Sequence, residues 1–123
     1  MAIKSMHNLP VEKHEIEKMA RMAINALDIC LRRNTFTVET DGDSVKIEIP
    51  DIKAFISRRQ IIILFGFIDI HYNDSKSVVK VYDYKKDDYV YINIESLSRE
   101  LESLLELARQ KVKEKLEKVL EEI

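Results

Sequence analysis

Acidic residues close to lysine or proline have the clearest capacity for chemistry in this sequence of 123 residues. Asp83-Tyr84-Lys85 and Pro50-Asp51 each place a carboxylate near a predicted strand end, and the first predicted helix carries Glu12, Glu15 and Glu17. Carboxylates can hold a divalent cation, which activates a bound water as a nucleophile. Metal-dependent hydrolysis is therefore one reaction that these residue types would support.

The same residues resemble the pattern of metal-dependent nucleases of the restriction-endonuclease-like group. That group combines an acid on a first helix, a Pro-Asp pair at the start of a strand and a later acid-x-Lys motif. The resemblance implies a divalent ion held by the acids and an activated water. However, Asp51-Ile52-Lys53 matches the short motif as well, because a chain with 22 acidic and 20 basic residues produces such matches by chance. We therefore rank a nuclease third and expect no enzymatic activity.

Other catalytic or metal-binding patterns are missing from the sequence. His7, His14 and His71 are scattered, and Cys30 occupies an apolar position of the first predicted helix. Asp41-Gly42-Asp43-Ser44 lacks the remaining ligands of a calcium loop and is typical of a hairpin turn. We expect no catalytic residues, no bound metal and no cofactor.

Composition and charge restrict the class of partner. The formal net charge is −2 and the sequence pI about 5.9, so no overall positive field attracts phosphate groups. Abundant Lys, Glu and Ile make the composition thermophile-like and archaeal-like. The N-terminus lacks the features of a secretion signal, and the longest apolar run, Ile61 to Ile68, is too short to span a bilayer. We expect a cytoplasmic protein with no membrane partner.

Hydrophobic periodicity predicts one α+β domain at residues 10–123, after a flexible N-terminus at residues 1–9. Apolar residues at a spacing of three and four predict a helix from Pro10 to Arg33. The same spacing predicts a long helix from Leu97 towards Ile123, with Ser96 as its cap. The domain therefore begins and ends with a helix.

Five strands are predicted between the two helices. The segment at residues 50–60 is interpreted as a short helix or crossover, because Pro50 interrupts the preceding ladder. The fold class is an antiparallel five-stranded sheet, a hairpin plus a three-stranded meander, flanked by the N-terminal helix and the long C-terminal helix. The predicted strands are Thr35 to Thr40, Val45 to Ile49, Ile61 to Tyr72, Val78 to Tyr84 and Tyr89 to Ile94.

Four of the five tyrosines surround a charged turn near the end of the sheet. A four-residue turn from Lys85 to Asp88 puts Tyr84 opposite Tyr89 and Tyr82 opposite Tyr91. On the preceding hairpin, turn length puts Asp69 opposite Lys80 and predicts an ion pair between them. One sheet face then carries aromatic side chains, and the other is aliphatic, with Ile68, Ile70, Val79, Val81, Val90, Ile92 and Ile94. The predicted aromatic face consists of Phe65, Phe67, Tyr82, Tyr84, Tyr89 and Tyr91.

An aromatic face of this size needs a cover in a soluble protein. The C-terminal helix, at about 39 Å for 26 residues, exceeds a strand of roughly 20 Å, so its apolar stripe through Leu116, Val119 and Ile123 should overhang. We predict a non-enzymatic protein-interaction module, homodimeric, that regulates or inhibits a larger assembly. Single-stranded nucleic acid stacked on the tyrosines is the alternative, disfavoured by charge. If the two helices pack as an antiparallel pair, the stripe needs no further partner.

Overall fold

The computed structural model describes residues 12–122. The predicted flexible segment at residues 1–9 and the predicted helix start at Pro10 lie outside them. The elements are α1 (Lys13–Arg32), β1 (Thr37–Asp41), β2 (Ser44–Ile49), β3 (Ile52–Ser57), β4 (Gln60–Phe65), β5 (Ile68–Asn73), β6 (Lys76–Asp83), β7 (Asp88–Asn93), a 3-10 turn (Glu95–Leu97) and α2 (Ser98–Glu122).

The strands form one antiparallel meander, because each pairs with its neighbours in chain order from β1 to β7. The prediction of an α+β fold with an antiparallel sheet between an N-terminal and a C-terminal helix is confirmed. The strand number was wrong, since the sheet has seven strands and not five. Two local features account for the two additional strands.

The first additional strand is β3, in the segment at residues 50–60 that was predicted as a short helix or crossover. Pro50 and Asp51 form the two-residue turn before it, and Asp51 has a φ of +67°. Proline is well suited to a turn, where it removes no ladder hydrogen bond. Alternate side chains from Ile52 to Ile56 are then buried, which is the period of a strand.

The second additional strand arises because the predicted strand from Ile61 to Tyr72 is divided into β4 and β5. Gly66 and Phe67 form the turn, and Gly66 has a φ of +59°, a conformation that glycine adopts without a steric penalty. This turn is hard to recognise in the sequence because both faces of β4 are apolar, so the apolar run continues without a change of pattern up to Gly66. Ile63 is fully buried towards the core, whereas the adjacent Ile62 lies on the opposite face and is half-buried.

Both helices cover the same face of the sheet. Their buried side chains form one core with strand residues that all share one side of the pleat. The prediction from the sequence that Ile68 and Ile70 share one aliphatic face with Val79 and Val81 is confirmed. The buried hydrophobic strand residues are Ile47, Ile49, Ile52, Ala54, Ile56, Ile61, Ile63, Ile68, Ile70, Tyr72, Val79 and Val81.

The helices run in the same direction across the sheet. Arg21 of α1 forms an ion pair with Glu100 in the first turn of α2, and Lys115, further along α2, donates to the carbonyl of Phe36 just after α1. The odd number of strands explains this direction. Because β1 and β7 run the same way, the chain leaves β7 at the end of the sheet opposite to the end where it enters β1. Helix α2 therefore starts at the end opposite to the one where α1 finishes, and the two helices run in the same direction. The antiparallel helix pair considered from the sequence was therefore wrong.

Ser96 was predicted to cap the C-terminal helix, but it lies in the 3-10 turn and α2 begins at Ser98. The Ser96 hydroxyl donates to Glu17 of α1 across 2.6 Å, and this hydrogen bond lowers the pKa of Glu17. The Ser98 hydroxyl lies 2.7 Å from that of Ser77 on β6. Short polar contacts thus join the start of α2 to both α1 and the sheet.

Candidate interaction surface

The sheet face opposite the helices, here called the open face, is the candidate functional surface. No described helix or strand covers it, and its apolar side chains do not belong to the core or to the residues packed against it. Successive side chains of a strand point to opposite faces of the sheet, so the strand residues adjacent to a core residue point to the open face. Its half-buried apolar side chains are Phe55, Ile62, Leu64 and Val78.

Two rows of side chains cross the open face from β2 to β6 at right angles to the strands. In one, here called the apolar row, a lysine is followed by hydrophobic side chains and a histidine. The apolar row consists of Lys46, Phe55, Ile62, His71 and Val78. In the other, here called the charged row, four charged residues flank a leucine. The charged row consists of Glu48, Lys53, Leu64, Asp69 and Lys80.

The charged row alternates in sign from strand to strand on each side of its leucine. The register places Asp69 opposite Lys80 as predicted. The predicted ion pair between them is not among the ion pairs of the described residues, and the Lys80 ammonium lies over the Tyr89 ring. The ion pairs among the described residues do not include Lys53 or Asp69. The neighbouring Lys46, in contrast, lies 3.0 Å from Glu39 and 3.8 Å from Glu48. Lys53 and Asp69 therefore remain available to an external partner.

His71 occupies the apolar row between Ile62 and Val78. Its Nε2 atom is buried and has no hydrogen-bond partner among the described residues. Burial lowers the pKa of His71, nearby Lys80 lowers it further, and Asp69 acts in the opposite direction. The imidazole is therefore biased towards its neutral form.

We expect acidification to destabilise the fold through His71. Its pKa lies below the ordinary value of about 6.5 in the folded state, so the unfolded chain binds more protons between the two values. Stability contributed by neutral His71 should therefore be present above about pH 6.5 and decline as the pH falls through that window. Urea unfolding at pH 7.5 and 5.5 measures this. Between these two pH values the wild type should lose more stability than His71→Gln. The control His14→Gln, at an exposed site, should lose as much as the wild type. Equal losses in all three proteins would contradict the expectation.

Strands β6 and β7 and the turn between them are here called the tyrosine hairpin. Their pairing register differs by two residues from the predicted one. Tyr82 lies opposite Tyr89, because the turn occupies residues 84–87 and not 85–88. The buried Asp83 accepts a hydrogen bond from the backbone N–H of Lys85 across 3.0 Å, which favours the earlier turn. The predicted pairs of Tyr84 with Tyr89 and of Tyr82 with Tyr91 were therefore wrong.

Tyr82 is the centre of a local aromatic cluster. Its ring meets Tyr84 edge-on at 5.0 Å and Tyr89 at 5.3 Å, both measured between ring centroids, and its hydroxyl donates to Asp87. The Lys80 ammonium lies 3.9 Å from the centroid of the Tyr89 ring. Such contacts stabilise a hairpin end by about 0.5–1.5 kcal/mol per aromatic pair. The tyrosines thus have a structural role whether or not they bind a partner.

The predicted aromatic face of six residues was wrong for Phe65 and Phe67. Phe65 pairs with Ile52 and Ile68 on the helix side, and both Phe65 and Phe67 pack against the core. Tyr82, Tyr89 and Tyr91 share the open face, and Tyr84 lies in the turn. Tyr84 and Tyr91 expose 72% and 66% of their surface, so they remain accessible.

The stripe on the C-terminal helix is only partly within the described residues. Leu116 is half-buried against the core, so it is not part of a free overhang. The side chain of Val119 and all of Ile123 lie outside the described part of the chain. A groove of about 370 Å³ lies between α2 and the β2–β3 region; its apolar lining is Val45, Ile56, Val112 and Leu116.

The acids of the nuclease-like pattern are not brought together. Asp51 lies in the turn between β2 and β3, Asp83 ends β6, and β4 and β5 separate them in the sheet. Among the side chains that the structure describes, no group of three or more histidine, cysteine or carboxylate residues has the geometry to hold a metal ion. Asp51 and Asp83 of the pattern therefore do not lie in one site.

Sequence reasoning missed Phe55, Ile62, His71 and Val78 as surface residues. The available signal was the apolar run in β4, because hydrophobic residues at both odd and even positions require two apolar faces. Comparison with models of known protein families, with curated proteins and with solved structures finds no match. Among the described residues, neither helix combines the length and apolar character needed to cross a bilayer.

Proposed function

We propose that this protein is a non-enzymatic interaction module that forms a homodimer through its open face. The observation that supports this most strongly is the set of half-buried apolar side chains on β3, β4 and β6, with no described element over them. Phe55, Ile62 and Val78 lie in one row, and Leu64 lies beside Ile62 on β4. Covering them removes apolar surface from water, which favours association.

The open face is large enough for a stable contact. Seven strands spaced about 4.8 Å apart, each about six residues long at roughly 3.4 Å per residue, give a footprint of roughly 34 Å by 20 Å. This approaches the area of about 800 Å² per partner of a standard protein interface. A homodimer needs only this one surface, because a twofold interface uses the same patch on both subunits.

The charge balance of the open face favours a protein partner over nucleic acid. Along the two rows and their extension onto β1, cationic and anionic side chains are equal in number, so no positive track is available for a phosphate backbone. The exposed charges around the turn of the tyrosine hairpin also balance, with Lys85 and Lys86 against Asp87 and Asp88. The balanced charges are Lys46, Lys53 and Lys80 against Glu39, Glu48 and Asp69.

The proposed role as a regulator or inhibitor of a larger assembly uses a second surface. If the open face is occupied by dimerisation, the outer side of α1 stays accessible. Met22 and Ile29 lie there seven residues apart, exposed by 55% and 48%. Residues at this spacing share one side of a helix, so the dimer would present this apolar pair to another protein twice.

Light scattering behind a sizing column, combined with hydroxyl-radical footprinting at several concentrations, tests this function. We expect a dimer without excess absorbance at 260 nm, and protection of Phe55 and Tyr91 that increases with concentration. Met22 on α1 and Tyr84 in the turn are internal controls and should keep their reactivity. A monomer at all concentrations, a peak rich in nucleic acid, or protection at Met22 alone would contradict the proposal.

A further inference from the structure

We infer that the open face binds a second copy of this chain with the twofold axis running along β4. This inference rests on the proposed function and adds the arrangement of the two subunits. Across β2 to β6 the charged row has the signs negative, positive, neutral, negative and positive. Each charge is thus opposite in sign to the residue at the same distance on the other side of Leu64.

A twofold axis along β4 brings each residue of the charged row against the partner's residue at the same distance on the other side of Leu64. When two copies of the sheet pack face to face about that axis, each β4 faces its own copy. Strand β3 then faces β5 of the partner subunit, and β2 faces the partner's β6. Aligned packing of two sheets within about 30° tolerates such an arrangement despite the twist of each sheet.

Every charge of the row then meets its opposite. Lys53 faces Asp69 of the partner subunit, and Glu48 faces Lys80 of the partner subunit, each contact occurring twice. Leu64 and Ile62 each lie against the same residue of the other copy. Lys53 and Asp69 are free for this contact, since the ion pairs among the described residues do not include them.

An axis at right angles to the strands gives a poorer match. It would exchange the two rows on each strand, so Lys53 would face Phe55 of the partner subunit and Lys80 would face the partner's Val78. Two lysines per subunit would then lose water without an ionic partner, which is unfavourable. The charge pattern therefore distinguishes between the two orientations.

The pairing can be tested with Lys53→Glu, Asp69→Lys and their mixture. Each single variant places like charges at two contacts, so the dissociation constant of its homodimer should rise about 10–100-fold. In a mixed dimer, the carboxylate introduced at position 53 meets the ammonium introduced at position 69, and the unchanged Lys53 and Asp69 meet at the other contact. The mixed dimer should therefore form in preference to either homodimer. Native mass spectrometry counts the three species, and sedimentation gives the dissociation constants.

The mixing experiment detects contacts between subunits, because a pairing within one subunit would not be repaired by a second chain. Lys18→Glu on the exposed side of α1 changes the net charge by the same amount as Lys53→Glu and should leave the dissociation constant unchanged within about threefold. A wild-type dimer protected at Phe55 but without preference for the mixed species would overturn the β4 axis and leave the proposed function intact. A monomeric wild type would overturn both.

Discussion

Ile63→Ala is expected to lower the free energy of unfolding by about 2–5 kcal/mol. Ile63 is fully buried in the middle of the sheet, between Ala54 on β3 and Ile70 on β5, and faces the helices. Removing its outer atoms loses apolar burial and leaves a cavity that the rigid sheet cannot fill. Urea unfolding at a low protein concentration, where the chain is monomeric, measures the loss.

The neighbouring residue provides a matched control. Ile62→Ala removes the same atoms one position earlier on the same strand, but from the half-buried open face. Its effect on the monomer should be below about 1 kcal/mol, because little cavity forms at an accessible site. Equal losses at positions 62 and 63 would mean that another part of the chain covers the open face, and would contradict the assignment of the two faces.

Much of the fold follows from patterns that are visible in the sequence. The spacing of three and four in α1 and the alternation in β6 arise because each element buries one face, so both were predicted correctly. The direction of the helices was also derivable, since any odd number of strands in a meander makes them run the same way. The number of strands was predicted wrongly because the two-residue turns at Pro50 and Gly66 were not recognised. The first was interpreted as a break in the sheet, and the second as part of one long strand.

The candidate surface was harder to predict because register depends on turns. If the turn starts at position 84 and not 85, the partner of Tyr82 on β7 is Tyr89 and not Tyr91. The contacts that accompany the earlier start are made by side chains, such as buried Asp83 with the backbone of Lys85. Phe65 was placed on the wrong face because the turn at Gly66 was not foreseen. Single-residue propensities carry no such information, so the two rows became visible only with the full register.

Ile62→Glu should abolish dimerisation while preserving the fold. Ile62 lies on β4, where the proposed axis brings it against Ile62 of the partner subunit, so a single substitution introduces two carboxylates into one contact. Burying like charges without partners costs several kcal/mol. The dissociation constant should therefore rise at least about 100-fold, and light scattering at micromolar concentration should show a monomer.

Met22→Glu is the matched control for this substitution. It places the same carboxylate at an exposed apolar residue on the outer side of α1, away from the open face. Its dissociation constant should change by less than about fivefold, because an exposed charge outside the contact keeps its water. Circular dichroism and urea midpoints should match the wild type for both variants. A dimer that survives Ile62→Glu cannot have β4 at its axis, whereas a monomer that still unfolds cooperatively would locate the contact at the centre of the open face.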